Sequence, residues 1–420
     1  MKKIFEFHDK LPCYLEELDN GLKVYLIPNQ KRSTASANIF VGLGGMDNGY
    51  YRDDKFIKVP TGIAHFLEHQ LFKQEDGEDI FAFFDRNGAS ANANTSHTRT
   101  RYYFTSSMNF LKNLNKLLSY VNEPYFEVNS VKRESEIILE EYQMYMDSSS
   151  EKIFNHLMKN VFHNHPLKID VIGKKNDIKK ITADNLYNMH NYFYSPNNTI
   201  IILAGNFDAE SSLELIKNIY QNQKPIEIKR PQFLEPESVV KTRAIIEGDN
   251  KVPKFMLFYK IPVVKKDLEF YKNLIALNIY NLGLFGKTSE FQVENKIKHL
   301  IKNDIFDTWL VDNQLLWYIE GESSQYMLAI NKIKKLITTR TISEETFERM
   351  KKIMIASYYP LVDKNAALVN NVYYYVSEYG TIFDPIAILN AMDYQEFLKR
   401  INTFNLNNSS YVVSKAKNKI

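Results

Sequence analysis

The stretch Thr61–Phe72, TGIAHFLEHQLF, is the part of the chain from which the rest is best interpreted. Its apolar residues recur every three or four positions, which predicts a helix. Residues four apart on a helix lie on the same face, about one turn apart, so His65 and His69 would point their imidazoles in the same direction. Two nitrogen ligands need this geometry to bind one zinc ion.

Glu68 completes the pattern on the same helix. It follows His65 by three residues, so it could reach a water on the metal without binding the metal itself. The order His-x-x-Glu-His is the inverted form of the zinc peptidase signature. The competing interpretation is a pair of histidines on a solvated helix, and a catalytic zinc also requires a third protein ligand.

A second helix, predicted in VKRESEIILEEYQMYMD at Val131–Asp147, supplies candidates for that ligand. Its helical spacing predicts two faces. The polar face would carry Arg133, Glu136, Glu140, Gln143 and Asp147, and the inward face Glu134, Ile137, Ile138, Glu141 and Tyr145.

A carboxylate among apolar neighbours is costly unless it is paired or bound to a metal. Glu141 is therefore the better ligand candidate and Glu140 the solvated one. Glu134, two turns earlier on the inward face, would support the site from outside the ligand set or handle a proton. An ordinary buried ion pair of Glu134 or Glu141 with Lys or Arg is the alternative.

Three segments in this order resemble the pitrilysin or insulinase family of zinc metallopeptidases. They are GIAHFLEHQLF, GASANANTSHTRTRYYF at Gly88–Phe104, and ESEIILEE at Glu134–Glu141. Within the family, the chain is most similar to half-length bacterial members that resemble the mitochondrial processing peptidase. The resemblance implies an α+β fold of two similar domains, each a mainly antiparallel sheet with helices packed on one side. Together the two domains would form half of a clam-shell chamber.

The resemblance also implies a zinc endopeptidase that cleaves peptides or leader segments inside a closed chamber. One zinc ion per chain would be held by His65, His69 and Glu141, and Glu68 would be the general base on zinc-bound water. Glu134 matches the family's second acidic position in this helix and is a further catalytic candidate. The alternative is a non-hydrolytic scaffold or assembly subunit that retains the peptidase fold.

Substrate binding is expected along the strand that contains Asn92, Ala93 and Asn94. The pair Asn92-Ala93 matches the family's Asn-Ala pair, which lies beside the substrate backbone. A peptide added to this sheet edge would bind mainly through main-chain hydrogen bonds, with weak sequence specificity.

The stretch Ser289–Val311, SEFQVENKIKHLIKNDIFDTWLV, departs from the family pattern. Similar members usually have an Arg and a Tyr seven residues apart here, which grip the substrate opposite the zinc, and this stretch contains neither residue type. The expected partner is therefore a related, zinc-less subunit that supplies the Arg/Tyr pair in a heterodimer. A homodimer is the second choice.

Composition limits the other possibilities. A chain of 420 residues is too long for one core and fits two domains. The net charge of +3 gives no field that would favour nucleic acid or a membrane. The single Cys13 cannot form an internal disulfide, and no apolar run reaches the length of a membrane span. The opening MKKIFEFHDKLP lacks the apolar stretch of a signal peptide, so we expect a cytoplasmic protein.

Predicted elements alternate along the first half. Strands are expected in GLKVYLIPN, STASANIFVGLGG, SANANTSHTRTRYYFTS and TIIILAG, with helices near 60–73, 77–87, 108–122, 129–147 and 183–194. The proline-containing QNQKPIEIKRPQFLEPES indicates a linker. The second half would have strands in SVVKTRAIIEG, PKFMLFYKIP, DTWLVDNQLLWYIEG and SSYVVSKA, helices from Leu268 onward, and three helices before the last strand. We predict a zinc-binding domain at 1–222, a linker at 223–240 and a metal-free domain at 241–420.

Overall fold

The computed structural model describes residues 1–416, which form fourteen strands and fifteen α-helices. The strands are β1 (Lys2–Phe7), β2 (Leu11–Glu17), β3 (Lys23–Pro28), β4 (Ala35–Val41), β5 (Gly49–Arg52), β6 (Lys55–Lys58), β7 (Ala89–Thr95), β8 (Thr100–Ser106), β9 (Thr199–Gly205), β10 (Arg243–Glu247), β11 (Lys254–Pro262), β12 (Lys302–Val311), β13 (Gln314–Glu322) and β14 (Ser409–Lys415).

The helices follow the same chain order. They are α1 (Ile63–Leu71), α2 (Ile80–Arg86), α3 (Phe110–Asn122), α4 (Val128–Asp147), α5 (Ser149–Val161), α6 (Lys175–Ile178), α7 (Ala183–Phe193), α8 (Ala209–Tyr220), α9 (Leu268–Phe285), α10 (Glu290–Lys298), α11 (Tyr326–Thr338), α12 (Glu344–Tyr358), α13 (Asn365–Tyr379), α14 (Pro385–Ala391) and α15 (Tyr394–Ile401). Short 3₁₀ turns occur at His8–Lys10, Pro166–Lys168, Pro196–Asn198 and Tyr359–Asp363. None of the helices within residues 1–416 is both long and apolar enough to cross a bilayer.

The chain divides into two compact units. Unit 1 comprises Met1–Gln143, Ile169–Gln232 and Leu361–Tyr374, and unit 2 comprises Met144–Lys168, Phe233–Pro360 and Tyr375–Ile420. Residues 221–242 contain neither helix nor strand. The domains that we predicted from the sequence are continuous ranges of the chain, whereas each unit combines three separate segments. The predicted domain limits stay a prediction.

The main sheet of unit 1 has the strand order β1-β2-β3-β9-β4-β8-β7. Every neighbouring pair is antiparallel except β3 and β9, which run parallel. Helices α1 and α2 contact β7, and α3 contacts β8. Because β7 is the last strand in this order, one side of its backbone is an open edge of the sheet.

The sheet of unit 2 has the order β10-β14-β11-β13-β12, with β10 and β14 parallel and the other pairs antiparallel. If the strands of this sheet are numbered along the chain, the order is first-fifth-second-fourth-third. Strands β3, β4, β7, β8 and β9 of unit 1 follow the same order. The shared order confirms the predicted α+β fold of two similar, mainly antiparallel domains.

The local patterns explain most elements. TIIILAG forms β9 at Thr199–Gly205, where all but one residue are buried, as a central strand between two neighbours requires. SANANTSHTRTRYYFTS, which we interpreted as one strand, is instead a hairpin of β7 and β8. Its chain reverses where the Ser96 amide donates to the Arg99 carbonyl at 2.8 Å.

Other predicted elements differ from the structure in number. Helices α5, α6 and α8 were not predicted, and five helices, not three, lie between β13 and β14. Helix α5 packs against β11 and β14, with Phe154 edge-on to Phe258. Helix α9 lies against the other face of this sheet, where Tyr280 meets Trp317. The second sheet is therefore covered on both faces, and the expectation of helices on one side only is wrong for this sheet.

Candidate metal centre

The start of helix α1 is fixed by a glycine. Gly62, the residue before the helix, has a φ of 86°, and a Cβ built on it would lie 2.2 Å from the Ile172 carbonyl oxygen. A side chain would therefore be strained there and would also collide with backbone. Thr61 anchors the same turn, since its hydroxyl donates to Asp177 at 2.8 Å and accepts from the Lys174 amide at 3.0 Å.

Helix α1 is held in place by its apolar side. Ile63, Phe66 and Leu67 are almost completely buried in the core of unit 1. The helix is thereby oriented so that His65 and His69 lie side by side, with ring centroids 4.6 Å apart. The predicted helical spacing is confirmed, although the helix is shorter at both ends than the predicted 60–73.

Helix α4 supplies the carboxylates. Glu134 and Ile138 are buried, Glu141 is partly exposed, and Glu140 is exposed. Two members of the predicted inward face, Ile137 and Tyr145, are exposed instead. Ile137 lies beside the Glu134–Ile138–Glu141 line and not on it, and Tyr145 belongs to the last turn of the helix. The inward face of α4 is thus a narrow stripe along that line.

His65, His69 and Glu141 form one cluster whose ligand atoms all lie within 4.8 Å of one another. The Glu141 Oε2 atom lies 3.8 Å from Nε2 of His65 and 3.7 Å from Nε2 of His69. Ligands at about 2.0–2.1 Å in a tetrahedral site are roughly 3.3–3.4 Å apart. Small side-chain adjustments would bring these three atoms to that spacing.

Glu134 contacts one of the cluster histidines from behind. The Nδ1–H group of His69 donates to Glu134 Oε1 at 2.9 Å, and Lys73 Nζ lies 3.8 Å from Oε2. Since Nδ1 carries this proton, the lone pair of His69 Nε2 is directed into the cluster. Metal-binding histidines are commonly oriented by a carboxylate in this way.

Glu68 is buried beside the cluster, with 8% of its surface exposed. The Thr95 hydroxyl at the end of β7 donates to Glu68 Oε2 at 2.6 Å. Thr95 lies 3.3 Å from the Thr100 hydroxyl, which in turn donates to the Leu43 carbonyl at 2.8 Å. This chain of hydroxyls fixes the position of Oε2 of Glu68.

The electrostatics of the four groups differ. Burial, helped by the charge of His69, lowers the pKa of His65 to about 3, so His65 is neutral at pH 7. Burial disfavours the charged form of His69, but the hydrogen bond to Glu134 and the neighbouring carboxylates outweigh it and raise its pKa. Burial raises the pKa of Glu68, with a smaller contribution from the charge of Glu141 and against the hydrogen bond from Thr95.

Burial alone would raise the pKa of Glu134, but its hydrogen bond to His69 and the nearby positive charges hold that pKa below the ordinary value. Glu134 is thus an ionised acceptor, whereas the pKa of Glu68 lies above its ordinary value. The two carboxylates of the site are therefore suited to different roles.

The three predicted substrate-binding residues lie on β7 but present different groups. Since Ser96 and Arg99 form a hydrogen-bonded pair, the alternation along the hairpin makes Ala93 and Tyr102 a non-hydrogen-bonded pair. The amide and carbonyl of Ala93 therefore point to the open edge, where the amide donates to the Asn92 side chain at 2.8 Å.

Asn92 and Asn94 instead present their side chains on the exposed face of the strand. Two residues that shape the site, Thr95 and Gly62, were not singled out from the sequence. Thr95 closes the run Asn92-Ala93-Asn94-Thr95, and strand alternation places its side chain on the face opposite to Asn92 and Asn94, toward helix α1. That alternation is the signal that could have identified it.

Two family models match the chain. The model of the insulinase family (peptidase family M16) matches residues 23–175, which include the whole cluster. The model described as the peptidase M16 inactive domain matches residues 180–354.

The chain is similar to several proteins with related names. It is 36% identical over 283 residues to the uncharacterized zinc protease YmfH of Bacillus subtilis, covering 66% of each chain. It is 28% identical over 207 residues to a probable mitochondrial-processing peptidase subunit beta of Arabidopsis thaliana, covering 48% of this chain but only 38% of that protein. The crystal structure of an M16-like peptidase from Alicyclobacillus acidocaldarius superimposes with a TM-score of 0.91 at 25% identity, covering 98% of this chain and 100% of the other.

Proposed function

Since the chain belongs to the insulinase family of peptidases, family M16, we propose that it is a zinc-dependent endopeptidase that cleaves peptides or leader segments. One observation carries the proposal. Glu68, a buried carboxylate, lies beside a two-histidine, one-carboxylate cluster that the fold assembles from two helices. A scaffold subunit would not need these four groups together, since function follows the site and not the fold.

The donor set fits zinc. Two imidazole nitrogens and one carboxylate oxygen form a common protein ligand set of catalytic zinc, with a fourth position left for water or substrate. The hydrogen bond from Nδ1 of His69 to Glu134 directs Nε2 of His69 into the cluster, and the lowered pKa of His65 keeps that imidazole neutral, with a lone pair available for the metal. We propose that His65, His69 and Glu141 hold one zinc ion per chain.

The reaction would use this chain's residues as follows. When bound, zinc would supply Lewis-acid polarisation of the attacking water and of the peptide carbonyl. Glu68 would accept the proton of that water at Oε1, because Oε2 is already engaged by Thr95. A raised pKa suits this role, since the protonated Glu68 could then give its proton to the leaving amine. Glu134 would act through His69 as a positioning residue.

The peptide would bind along the open edge of β7. The outward amide and carbonyl of Ala93 would pair with the peptide backbone, as in other cases of strand addition. The Asn92 side chain would turn away from the Ala93 amide to make room, and Asn92 and Asn94 would flank the peptide on the exposed face of the strand. Thr95, two residues after Ala93, would connect this edge to Glu68.

We further propose a partner subunit. Helix α10 and strand β12 cover most of the stretch Ser289–Val311, which lacks the Arg/Tyr pair of similar family members. A related zinc-less chain that brings this pair would complete the site as a heterodimer within a closed chamber. A homodimer is the second choice.

The test combines zinc content with cleavage of an internally quenched peptide library, on the chain alone and with a co-encoded relative. We expect one zinc per chain. Glu68→Gln should retain zinc and lower turnover at least about 100-fold, because the general base is lost. Glu141→Ala should lose both zinc and turnover.

Glu140→Gln is the matched control, because Glu140 is the exposed carboxylate next to Glu141 on the same helix. It should change neither zinc content nor turnover. Stoichiometric zinc with no cleavage under either condition would favour the scaffold role, for which the match of residues 180–354 to the inactive domain is the supporting observation. Unchanged turnover in Glu68→Gln would show that Glu68 is not the base.

A further inference from the structure

A pair of arginines lies on the sheet face that also carries Asn92 and Asn94. In the strand register Asn94 faces Arg101 on β8, and Arg101 faces Phe40 on β4. Arg99 lies two residues before Arg101 and therefore on the same face. One continuous row thus runs from the open edge at Asn94 into the sheet.

Both guanidinium groups are held in place by neutral groups. Arg101 is 7% exposed, donates through Nε and Nη2 to the Asn38 side chain, and donates through Nη1 to Asn370 at 3.0 Å. Its guanidinium carbon lies 5.3 Å from the Phe40 ring centroid and 4.1 Å from that of Tyr103. Arg101 is therefore an almost fully buried cation.

Arg99 is half-buried and lies nearer the edge. Its guanidinium carbon lies 5.3 Å from the Phe40 ring and 5.0 Å from the Tyr373 ring, two rings that stack at 3.9 Å. Its Nη1 donates to the Asn94 side chain at 3.2 Å. Of its five N–H groups, the other four have no acceptor within the described part of the chain.

The charge of the pair is not balanced. Among residues 1–416, no carboxylate oxygen lies within 4.0 Å of either guanidinium, although buried charges are normally paired. Burial, with a smaller contribution from the charge of Arg99, lowers the pKa of Arg101 to about 10, and burial also lowers the pKa of Arg99, but both side chains stay cationic at pH 7. Two close cations beside an open strand edge form a site for an anion.

The position of the two arginines beside strand β7 indicates which kind of anion they could bind. A peptide strand on β7 would lie about 4.8 Å beyond it, and every second side chain would point to the face of Asn94 and Arg99. Thr95, the next residue after Asn94, holds the proposed base Glu68. A peptide side chain that meets Arg99 would therefore lie close to the scissile bond.

We propose that Arg99 and Arg101 form a subsite for an acidic side chain, Asp or Glu, within two residues of the cleaved bond. The inference rests on the proposed function and names its substrate class. Arg99 would bind the carboxylate directly through its free N–H groups. The positive charge of the more deeply buried Arg101 would add to the electrostatic attraction of the carboxylate. A Lys or Arg at the same peptide position would be disfavoured by like charge.

Binding tests this subsite without requiring turnover. Labelled decapeptides that carry Glu at one of successive positions, each with a Gln twin, are titrated against the zinc-loaded full-length Glu68→Gln protein by fluorescence anisotropy. We expect one position at which the Glu peptide binds about tenfold more tightly than its Gln twin, an advantage that shrinks as salt is added. Adding Arg99→Gln should bring the ratio to about one and leave the affinity of the Gln peptide within about twofold.

Two further variants sharpen the result. Arg86→Gln removes the same charge from helix α2, where the side chain is mostly exposed and already paired with Glu78, so it should retain the Glu preference. Arg99→Glu should reverse the preference toward a Lys peptide. Equal binding of the twins, binding of neither, or a preference that survives Arg99→Gln would overturn the inference.

Cleavage by the unmodified protein separates this inference from the proposed function. Tight, Arg99-dependent binding of Glu peptides without cleavage of any peptide would support the subsite and count against the peptidase. Cleavage of both twins at the same rate, with equal binding, would support the peptidase and overturn the subsite. Cleavage with Glu placed within two residues of the bond would support both.

Discussion

The Thr95 hydroxyl orients Glu68 through one short hydrogen bond, 2.6 Å from Oγ1 to Oε2. Thr95→Val keeps the shape of the side chain and removes the donor, so Glu68 would lose both its orientation and an interaction that lowers its pKa. We expect kcat to fall roughly 10–100-fold with KM unchanged, the usual effect of losing a supporting contact at a metal site. Steady-state cleavage of a quenched peptide measures both constants.

Thr95→Ser keeps the hydroxyl and should recover most of kcat, and Thr98→Val, in the exposed turn of the same hairpin, should have no effect. Zinc content should be equal in all of these proteins. A fully active Thr95→Val protein would mean that another group orients Glu68.

The buried His190 should make the unfolding free energy depend on pH. Its ring is buried, its Nε2–H donates to the Val121 carbonyl at 2.9 Å, and burial lowers its pKa to about 4. Unfolding restores a pKa near 6.5, so between pH 6.5 and 4 the unfolded chain binds a proton that the folded chain does not. The stabilisation is therefore complete above pH 6.5 and is lost as the pH falls toward 4, by about 2 kcal/mol between pH 7 and pH 5.

The measurement is urea unfolding at several pH values for the protein and for His190→Gln, which can still donate to Val121 but cannot titrate. The variant should lose less stability on acidification than the unchanged protein, even if it is less stable at every pH. Parallel pH profiles for the two proteins would show that His190 does not bind a proton on unfolding.

The extent to which the site could be predicted depends on how local its geometry is. The relation between His65 and His69 is set by the helix repeat, so the sequence was sufficient for it. The bond between Thr95 and Glu68 joins residues 27 positions apart and depends on the register of the hairpin. Arg99 and Arg101 meet Tyr373 and Asn370 only through the tertiary fold, which no local pattern predicts.

At the scale of elements, helix α1 depends on the turn that precedes it. Gly62→Ala would place a Cβ 2.2 Å from the Ile172 carbonyl oxygen in a backbone with a φ of 86°. We expect the unfolding free energy to fall by more than the roughly 1–3 kcal/mol that such a backbone conformation costs by itself, because the clash adds to that cost. Zinc affinity should also fall, because both histidines follow on this helix.

Gly77→Ala is the matched control. Gly77 has a similar φ of 72°, but nothing lies within 4 Å of the position that a Cβ would take, so only the backbone cost of about 1 kcal/mol applies. Denaturant unfolding and zinc competition by a chelator compare the two proteins. Equal losses of stability with unchanged zinc affinity would show that the turn at Gly62 does not position the site.

Strands and helices were predicted correctly where the hydrophobic pattern was continuous. The prediction failed where a turn interrupted that pattern. TIIILAG forms a strand over its whole length because a central strand buries both faces. The segment of β7 and β8 was interpreted as one strand because Ser96–Arg99 lacks the Gly or Pro that usually marks a hairpin turn. A single residue, Ser148, separates the end of α4 from the start of α5, and this N-cap was not recognised as the start of a separate helix.

At the scale of the whole molecule, the two sheets have the same strand order, but within residues 1–416 only unit 1 has the metal cluster. In unit 1, strand β7 and helices α1 and α4 supply the proposed zinc ligands together with Glu68, Glu134 and Thr95. The corresponding hairpin of unit 2, β12 and β13, instead carries Trp317, which is completely buried in the core. Zinc bound at the proposed site would therefore stabilise the folded state of unit 1.

This division predicts the effect of removing zinc. A metal that binds only the folded state stabilises it by about 4 kcal/mol when its free concentration is a thousand times Kd. For a unit of about 200 residues this corresponds to roughly 8–16 °C in Tm. We expect chelation to lower one transition in differential scanning calorimetry by that amount and to leave the transition of unit 2 in place. Glu141→Ala should resemble the chelated protein and should not respond to chelator, whereas an unchanged thermogram of the intact protein after chelation would contradict a zinc site that stabilises unit 1.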